Sequence, residues 1–68
     1  MGVRPITSKF IPDGYSIPIP RDARMFKRGA GWYLYYSPSR YQTFLIQRAR
    51  GGWNVYVYPG KAVPPCCG

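Results

Sequence analysis

Acidic and catalytic side chains are scarce in this chain. Its 68 residues include two Asp/Glu and no His, against ten Lys/Arg, which gives a formal net charge of +8 at pH 7. His, a close pair of carboxylates and a Gly-rich phosphate loop are all missing, and general acid–base or phosphoryl chemistry commonly needs one of them. We therefore expect a protein that is not an enzyme and that carries no cofactor.

Cysteine is limited to the adjacent pair Cys66 and Cys67 near the end of the chain. A bond between neighbouring cysteines closes no useful loop. Two thiols without any His also fall short of the four ligands of a structural zinc site. The sequence predicts no metal site, and free thiols in a loose tail over residues 61–68.

Long apolar runs are absent as well. No stretch approaches the roughly 18 residues that a membrane-spanning helix requires. Residues 1–5 lack the apolar block of a signal peptide. The expectation is a cytoplasmic protein that does not bind a membrane. A chain this short has a small core, so we expect one domain over residues 1–68 and a possible homodimer, for example through an edge strand at residues 53–58.

Proline divides the chain into two halves. Four of the eight prolines lie in residues 1–30 and exclude a long helix there. This half is predicted to be an extended, Pro-rich, basic segment. At most one short helical turn is possible, at residues 23–28, with Asp22 as its N-cap and Gly29 as its stop.

Residues 31–60 have the composition of β-strands. They are dense in Tyr, Trp, Val, Ile and Phe. Breaks at Pro38-Ser39 and at Arg50-Gly51 separate three predicted strands, at residues 32–37, 40–48 and 53–58. The fold class is therefore mainly β, a small three-stranded antiparallel meander over residues 32–58.

The two turns determine which side chains share a face of this meander. Loops of two or four residues give the same parity, whereas a shift of one residue would exchange the faces. The first face is almost wholly apolar and is predicted to be the core; it holds Tyr33, Tyr35, Phe44, Ile46, Trp53, Val55 and Val57. The second face mixes aromatic and polar groups; it holds Trp32, Leu34, Tyr36, Tyr41, Thr43, Leu45, Gln47, Asn54, Tyr56 and Tyr58.

The second face is the candidate binding surface. A strongly cationic chain favours a polyanionic partner, and aromatic rings can stack on bases. We predict a DNA-binding or RNA-binding protein whose contacts are Arg24, Lys27, Arg28, Tyr36, Arg40, Tyr41, Arg48, Arg50, Tyr56, Tyr58 and Lys61. The open alternative is that apolar residues of the N-terminal half bury this face and make its tyrosines part of the core.

One family resemblance follows from the meander. Gly31-Trp32-Tyr33-Leu34-Tyr35-Tyr36 and the hairpin after it resemble the arm-type DNA-binding domains of tyrosine integrases. The resemblance covers residues 31–59 and implies a three-stranded sheet that enters the major groove. The C-terminal helix of those domains is not expected here, because Pro59, Pro64 and Pro65 oppose it.

A function of another class fits the same composition. Tyr, Trp and Arg are also enriched in protein–protein interfaces. The rival hypothesis is a small phage or mobile-element protein that binds a host protein complex and blocks it.

Overall fold

The computed structural model describes residues 4–67 and contains one five-stranded antiparallel sheet. Its strands follow the order β1-β5-β4-β3-β2. The elements are β1 (Thr7–Pro12), β2 (Arg24–Gly29), β3 (Trp32–Ser37), β4 (Gln42–Ala49), β5 (Gly52–Pro59) and a 3-10 turn at Pro65–Cys67. The mainly β class is confirmed, with five strands instead of three. Residues 1–3 and Gly68 lie outside the described residues. The expectation of no signal peptide at residues 1–5 therefore falls partly outside them.

The predicted parity of the meander is confirmed. In the β4–β5 hairpin Arg48 lies opposite Trp53, as the two-residue turn requires. In the β3–β4 hairpin Ser37 pairs with Gln42, so residues 38–41 form a four-residue turn. Tyr41 closes that turn with a φ of 57°. Because this loop is longer by two residues, the side chains of the paired strands keep their predicted faces. Tyr41, which was predicted on the second face, instead lies exposed in the turn.

The N-terminal half supplies the two strands that the sequence interpretation missed. β1 lies outside β5, with Ile11 opposite Trp53, and its edge position allows a proline at its end. The predicted edge at residues 53–58 is therefore wrong, because β5 is an interior strand. The helical turn at residues 23–28 is also wrong, because these residues form β2. Pairing with β3 gives them a ladder of hydrogen bonds, whereas a single helical turn is unstable.

Asp22 stabilises a turn of the sheet and does not cap a helix. Its carboxylate accepts hydrogen bonds from the Ser37 hydroxyl at 2.7 Å and from the Ser39 N–H at 2.8 Å. The Ser37 oxygen in turn accepts a bond from the Arg40 N–H at 3.3 Å. The segment before β2 is thereby attached to the β3–β4 turn.

These bonds make stability depend on pH in the acid range. The Ser39 N–H and the Ser37 hydroxyl hold the pKa of Asp22 below its ordinary value. The hydrogen bond from Arg48 lowers the pKa of Asp13. A lowered folded-state pKa contributes stability that is complete above the unfolded-state pKa, about 4, and is lost as pH falls through the folded-state value.

We therefore expect a constant Tm between pH 7 and about 5 and a falling Tm below about pH 4. The variant Asp22→Asn should show a shallower fall, because it lacks one of the two titrating carboxylates. Circular-dichroism melts across this range measure both curves. A wild-type Tm that stays constant down to about pH 2 would contradict the assignment.

The first face carries one of the two cores of the sheet. Ile11, Phe44, Ile46 and Val55 are buried there. Ile17 and Ile19, from the segment between β1 and β2, pack against them, which explains why that Pro-rich segment is held on the sheet. The predicted core face is confirmed.

The second face carries another core, which is covered by the C-terminal tail. Leu34, Leu45 and Tyr58 are buried against Cys67, with Pro64 also buried. The predicted loose tail is therefore wrong over its described part. The bond from the Cys67 N–H to the Pro64 carbonyl, at 2.9 Å, closes a 3-10 turn that directs the tail onto the sheet.

The predicted free thiols are also wrong. The structure joins Cys66 and Cys67 in a disulfide, and Cys67 is buried while Cys66 is exposed. Cys67 packs with Leu34, Leu45 and Tyr58, so the buried half of the disulfide is part of the second-face core. No helix in residues 4–67 has the length and hydropathy needed to cross a membrane.

Candidate nucleic-acid interface

The structure distributes the eleven predicted contact residues over both faces and both ends of the sheet. Directly paired residues of neighbouring strands point to the same face. By this criterion the second face carries Arg24, Lys27, Tyr36, Tyr56 and Tyr58. The first face and the turns carry Arg28, Arg40, Tyr41, Arg48 and Arg50. The eleventh residue, Lys61, follows the end of β5.

A basic cluster forms on the second face at its β2 edge. The Nζ of Lys61 lies 5.0 Å from the ring centre of Phe26 and 5.7 Å from that of Tyr36. The negative faces of these rings attract the ammonium group. Arg24 pairs with Tyr36, and its guanidinium donates to the Arg21 carbonyl at 3.0 Å. Three of the predicted residues, Arg24, Tyr36 and Lys61, are therefore brought together. With Phe26 and Lys27, which follow on β2, they form what we call the second-face cluster.

A bulge in β2 gives this edge its aromatic side chain. The register shifts between Met25 and Lys27, so Phe26 is an extra residue in the strand. Phe26 packs against the second-face core, and Lys27 lies opposite Leu34 on the same face. In a regular strand the side chains of Phe26 and Lys27 would point to opposite faces, whereas the bulge turns both side chains toward the second face.

The tyrosines of the second face differ in accessibility. Tyr58 is 6% exposed and forms part of the core. Burial raises the pKa of its hydroxyl, with a smaller effect of Tyr56. Tyr36 and Tyr56 are half-buried. Of the three predicted tyrosines on this face, Tyr36 and Tyr56 are therefore partly accessible, while Tyr58 belongs to the core.

Arg48 is held in an ion pair on the first face. Its guanidinium donates to both carboxylate oxygens of Asp13, at 2.7 and 3.1 Å. It also lies 4.8 Å from the ring centre of Trp53. The bidentate hydrogen bond lowers the pKa of Asp13 and raises that of Arg48. The charge of Arg48 is therefore compensated by Asp13, and Arg48 does not belong to the second-face cluster.

The remaining predicted residues are spread out. Arg28 lies opposite Tyr33 and so points to the first face. Arg40 and Tyr41 are exposed in the β3–β4 turn, where Tyr41 reaches 73% exposure. Arg50 is exposed in the β4–β5 turn, at the opposite end of β4.

The register reveals one group that the predicted contacts omitted. Trp32 pairs with Gln47, Gln47 with Asn54, and Asn54 with Phe10. These four side chains form a row across the second face. Phe10 was missed because β1 was not predicted. The β-branched residues before the Asp13-Gly14 turn are the signal that could have found it.

Comparison with known proteins adds no assignment. No protein-family model matches the chain, and no curated protein or solved structure matches it.

Proposed function

We propose that this protein is a non-enzymatic nucleic-acid-binding protein that presents its second face to the ligand and binds mainly by charge. The observation that carries the proposal is the difference between the two faces. The first face is covered by Ile17 and Ile19, and its Arg48 is paired with an acid. The second face combines half-buried aromatic rings with the basic side chains of Lys27 and Lys61.

The charge distribution supports a polyanionic ligand. Asp13 is bonded to Arg48, and Asp22 is bonded to Ser37 and Ser39. These are the two acidic residues of the chain. Asp22 lies two residues before Arg24, but its carboxylate is bonded to Ser37 and Ser39, and neither acid forms an ion pair with Arg24, Lys27 or Lys61 among the described residues. The basic side chains of the cluster are therefore not paired with a carboxylate, which favours phosphate contacts and release of their counterions.

The aromatic side chains support contact with bases. Tyr36 lies beside Lys61, and Tyr56 lies on the same face at the level of Lys27, with β3 and β4 between those two residues. Stacking of a base on such a ring contributes about 1–3 kcal/mol and tolerates any sequence. Phosphate contacts fix the position of the strand without reading its sequence. Together these interactions predict charge-driven binding with weak sequence preference.

The test is a fluorescence-anisotropy titration of the protein against single- and double-stranded DNA and RNA. Four phosphate contacts from Arg24, Lys27, Arg50 and Lys61 predict a slope of about −2.8 in log K against log salt on a single strand. Affinity should then fall about fifty-fold between about 50 and 200 mM salt. Absence of binding at low salt would overturn the proposal and favour the protein-blocking hypothesis.

A further inference from the structure

We propose that the row Phe10, Asn54, Gln47 and Trp32 on the second face binds the bases of a single-stranded nucleic acid. The two rings stack on bases, and the two amides between them hydrogen-bond to base edges. This inference rests on the proposed function and names its base-contacting site.

The register places the row across four adjacent strands. Phe10 lies on β1, Asn54 on β5, Gln47 on β4 and Trp32 on β3. Neighbouring strands are about 4.8 Å apart, so the row spans about 14 Å. Aromatic side chains on a sheet face of this width stack about two or three bases.

A glycine lies beneath the aromatic ring at each end of the row. A Cβ at Gly29 would collide with the indole of Trp32, and a Cβ at Gly52 would collide with the ring of Phe10. Each ring therefore occupies the space above a glycine and lies along the sheet. Phe10 remains 46% exposed in this position, which leaves ring surface for a ligand.

The two amides at the centre of the row are free to bind a ligand. Within residues 4–67 the side chains of Gln47 and Asn54 make no hydrogen bond to another protein group. Both residues are half-buried. An amide offers a donor and an acceptor side by side, which matches the paired donor and acceptor atoms of a base edge.

The surroundings of the row match an unpaired strand. The tail covers the part of this face where Cys67 packs with Leu34 and Tyr58, and Trp32 packs against that cluster while remaining half-buried. The other three residues of the row are not part of the cluster. Lys27 flanks the row on β2, and Arg50 lies in the turn at the same end of the sheet. Unpaired bases offer their faces and their Watson–Crick edges to such a row, whereas a duplex stacks the faces and pairs those edges.

Two single-tryptophan variants test the position of the bases. Trp53→Phe leaves Trp32 as the fluorophore, and Trp32→Phe leaves Trp53, which lies on the first face beneath Arg48. A single-stranded oligonucleotide of about 12 nucleotides should quench Trp32 and leave Trp53 unchanged. Equal quenching of both, or quenching of Trp53 alone, would overturn the assignment.

Affinity measurements with Phe10 variants test the stacking contact. Phe10→Ala should weaken binding of the same oligonucleotide roughly 5- to 140-fold, with an unchanged salt slope. Phe10→Tyr keeps a ring and should restore wild-type affinity, and thermal melts confirm that both variants fold. Wild-type affinity in Phe10→Ala would overturn the stacking role.

The amides are tested separately by the double variant Gln47→Met with Asn54→Leu, which keeps side-chain size and removes the hydrogen-bonding atoms. The wild type should discriminate among dA, dC and dT homopolymers, and the double variant should not. Equal wild-type affinities would overturn the role of the amides.

These outcomes separate the row from the proposed function. Salt-dependent binding without Trp32 quenching would overturn the row but leave the proposed function intact. Absence of all binding would overturn both.

Discussion

Replacing Thr43 by Val is expected to lower the free energy of unfolding by about 2–6 kcal/mol. The Thr43 side chain is fully buried on the second face. Its hydroxyl donates to the Gly60 carbonyl at 2.6 Å and accepts from the Ala62 N–H at 2.9 Å. Val has the same shape but leaves both backbone groups without a partner, and each such loss costs about 1–3 kcal/mol.

The loss is large for a chain of this size. Native domains gain about 0.05–0.15 kcal/mol of stability per residue, which is about 3–10 kcal/mol here. Thr43 also connects β4 to the start of the tail, so its hydroxyl helps to hold Pro64 and Cys67 over the second-face core. We therefore expect detachment of the tail to accompany the loss of stability.

Urea unfolding of Thr43→Val and Thr43→Ser separates the contribution of the hydroxyl to stability from that of the methyl group. The Ser variant keeps both hydrogen bonds and should lose only about 1 kcal/mol for the missing methyl group. Equal midpoints for the Val and Ser variants would contradict the role assigned to the hydroxyl.

The central meander could be predicted because its signals are local. Turn residues at Pro38-Ser39 and Arg50-Gly51 separate runs of β-forming residues, and parity then assigns the faces. Lengthening the first turn to four residues, with Tyr41 at positive φ, left that parity unchanged. The assignment of the meander's side chains to the two faces of the sheet could therefore be predicted from the sequence.

The outer strands could not be predicted in the same way. β2 has a basic sequence with Asp22 before it and Gly29 at its end, which is also the pattern of a capped helical turn. Its conformation is decided by pairing with β3 and by the bonds from Asp22 to Ser37 and Ser39. These interactions join distant parts of the chain, and a local pattern does not contain them.

The candidate site could also be predicted only in part, because it depends on contacts between distant segments. The sequence predicted an aromatic second face with Tyr36, Tyr56 and Tyr58 on it. It did not predict that the tail buries Tyr58 or that Asp13 pairs with Arg48. Both interactions depend on how segments far apart in the chain pack on the sheet.

Reversing charge on the second face is expected to weaken nucleic-acid binding strongly. In the double variant Lys27→Glu with Lys61→Glu, two phosphate contacts are lost and two acids face the ligand. The salt slope on a single strand should become shallower by about 1.4, and affinity near 100 mM salt should fall at least about 25-fold. Repulsion between the new carboxylates and phosphates adds to this loss.

The matched control is Arg28→Glu with Arg40→Glu. Arg28 adjoins Lys27 on the same strand but points to the first face, and Arg40 lies in an exposed turn. Both double variants change the net charge of +8 by the same amount. A difference between them therefore reports the position of the charges and not their number.

Salt-dependent anisotropy titrations of the wild type and these two double variants test the central claim most directly. We predict a shallower slope and a large loss of affinity for Lys27→Glu with Lys61→Glu. The control should keep the wild-type slope and lose little affinity. Equal slopes and affinities in the two variants, or a larger loss in the control, would contradict the assignment of the second face as the binding surface.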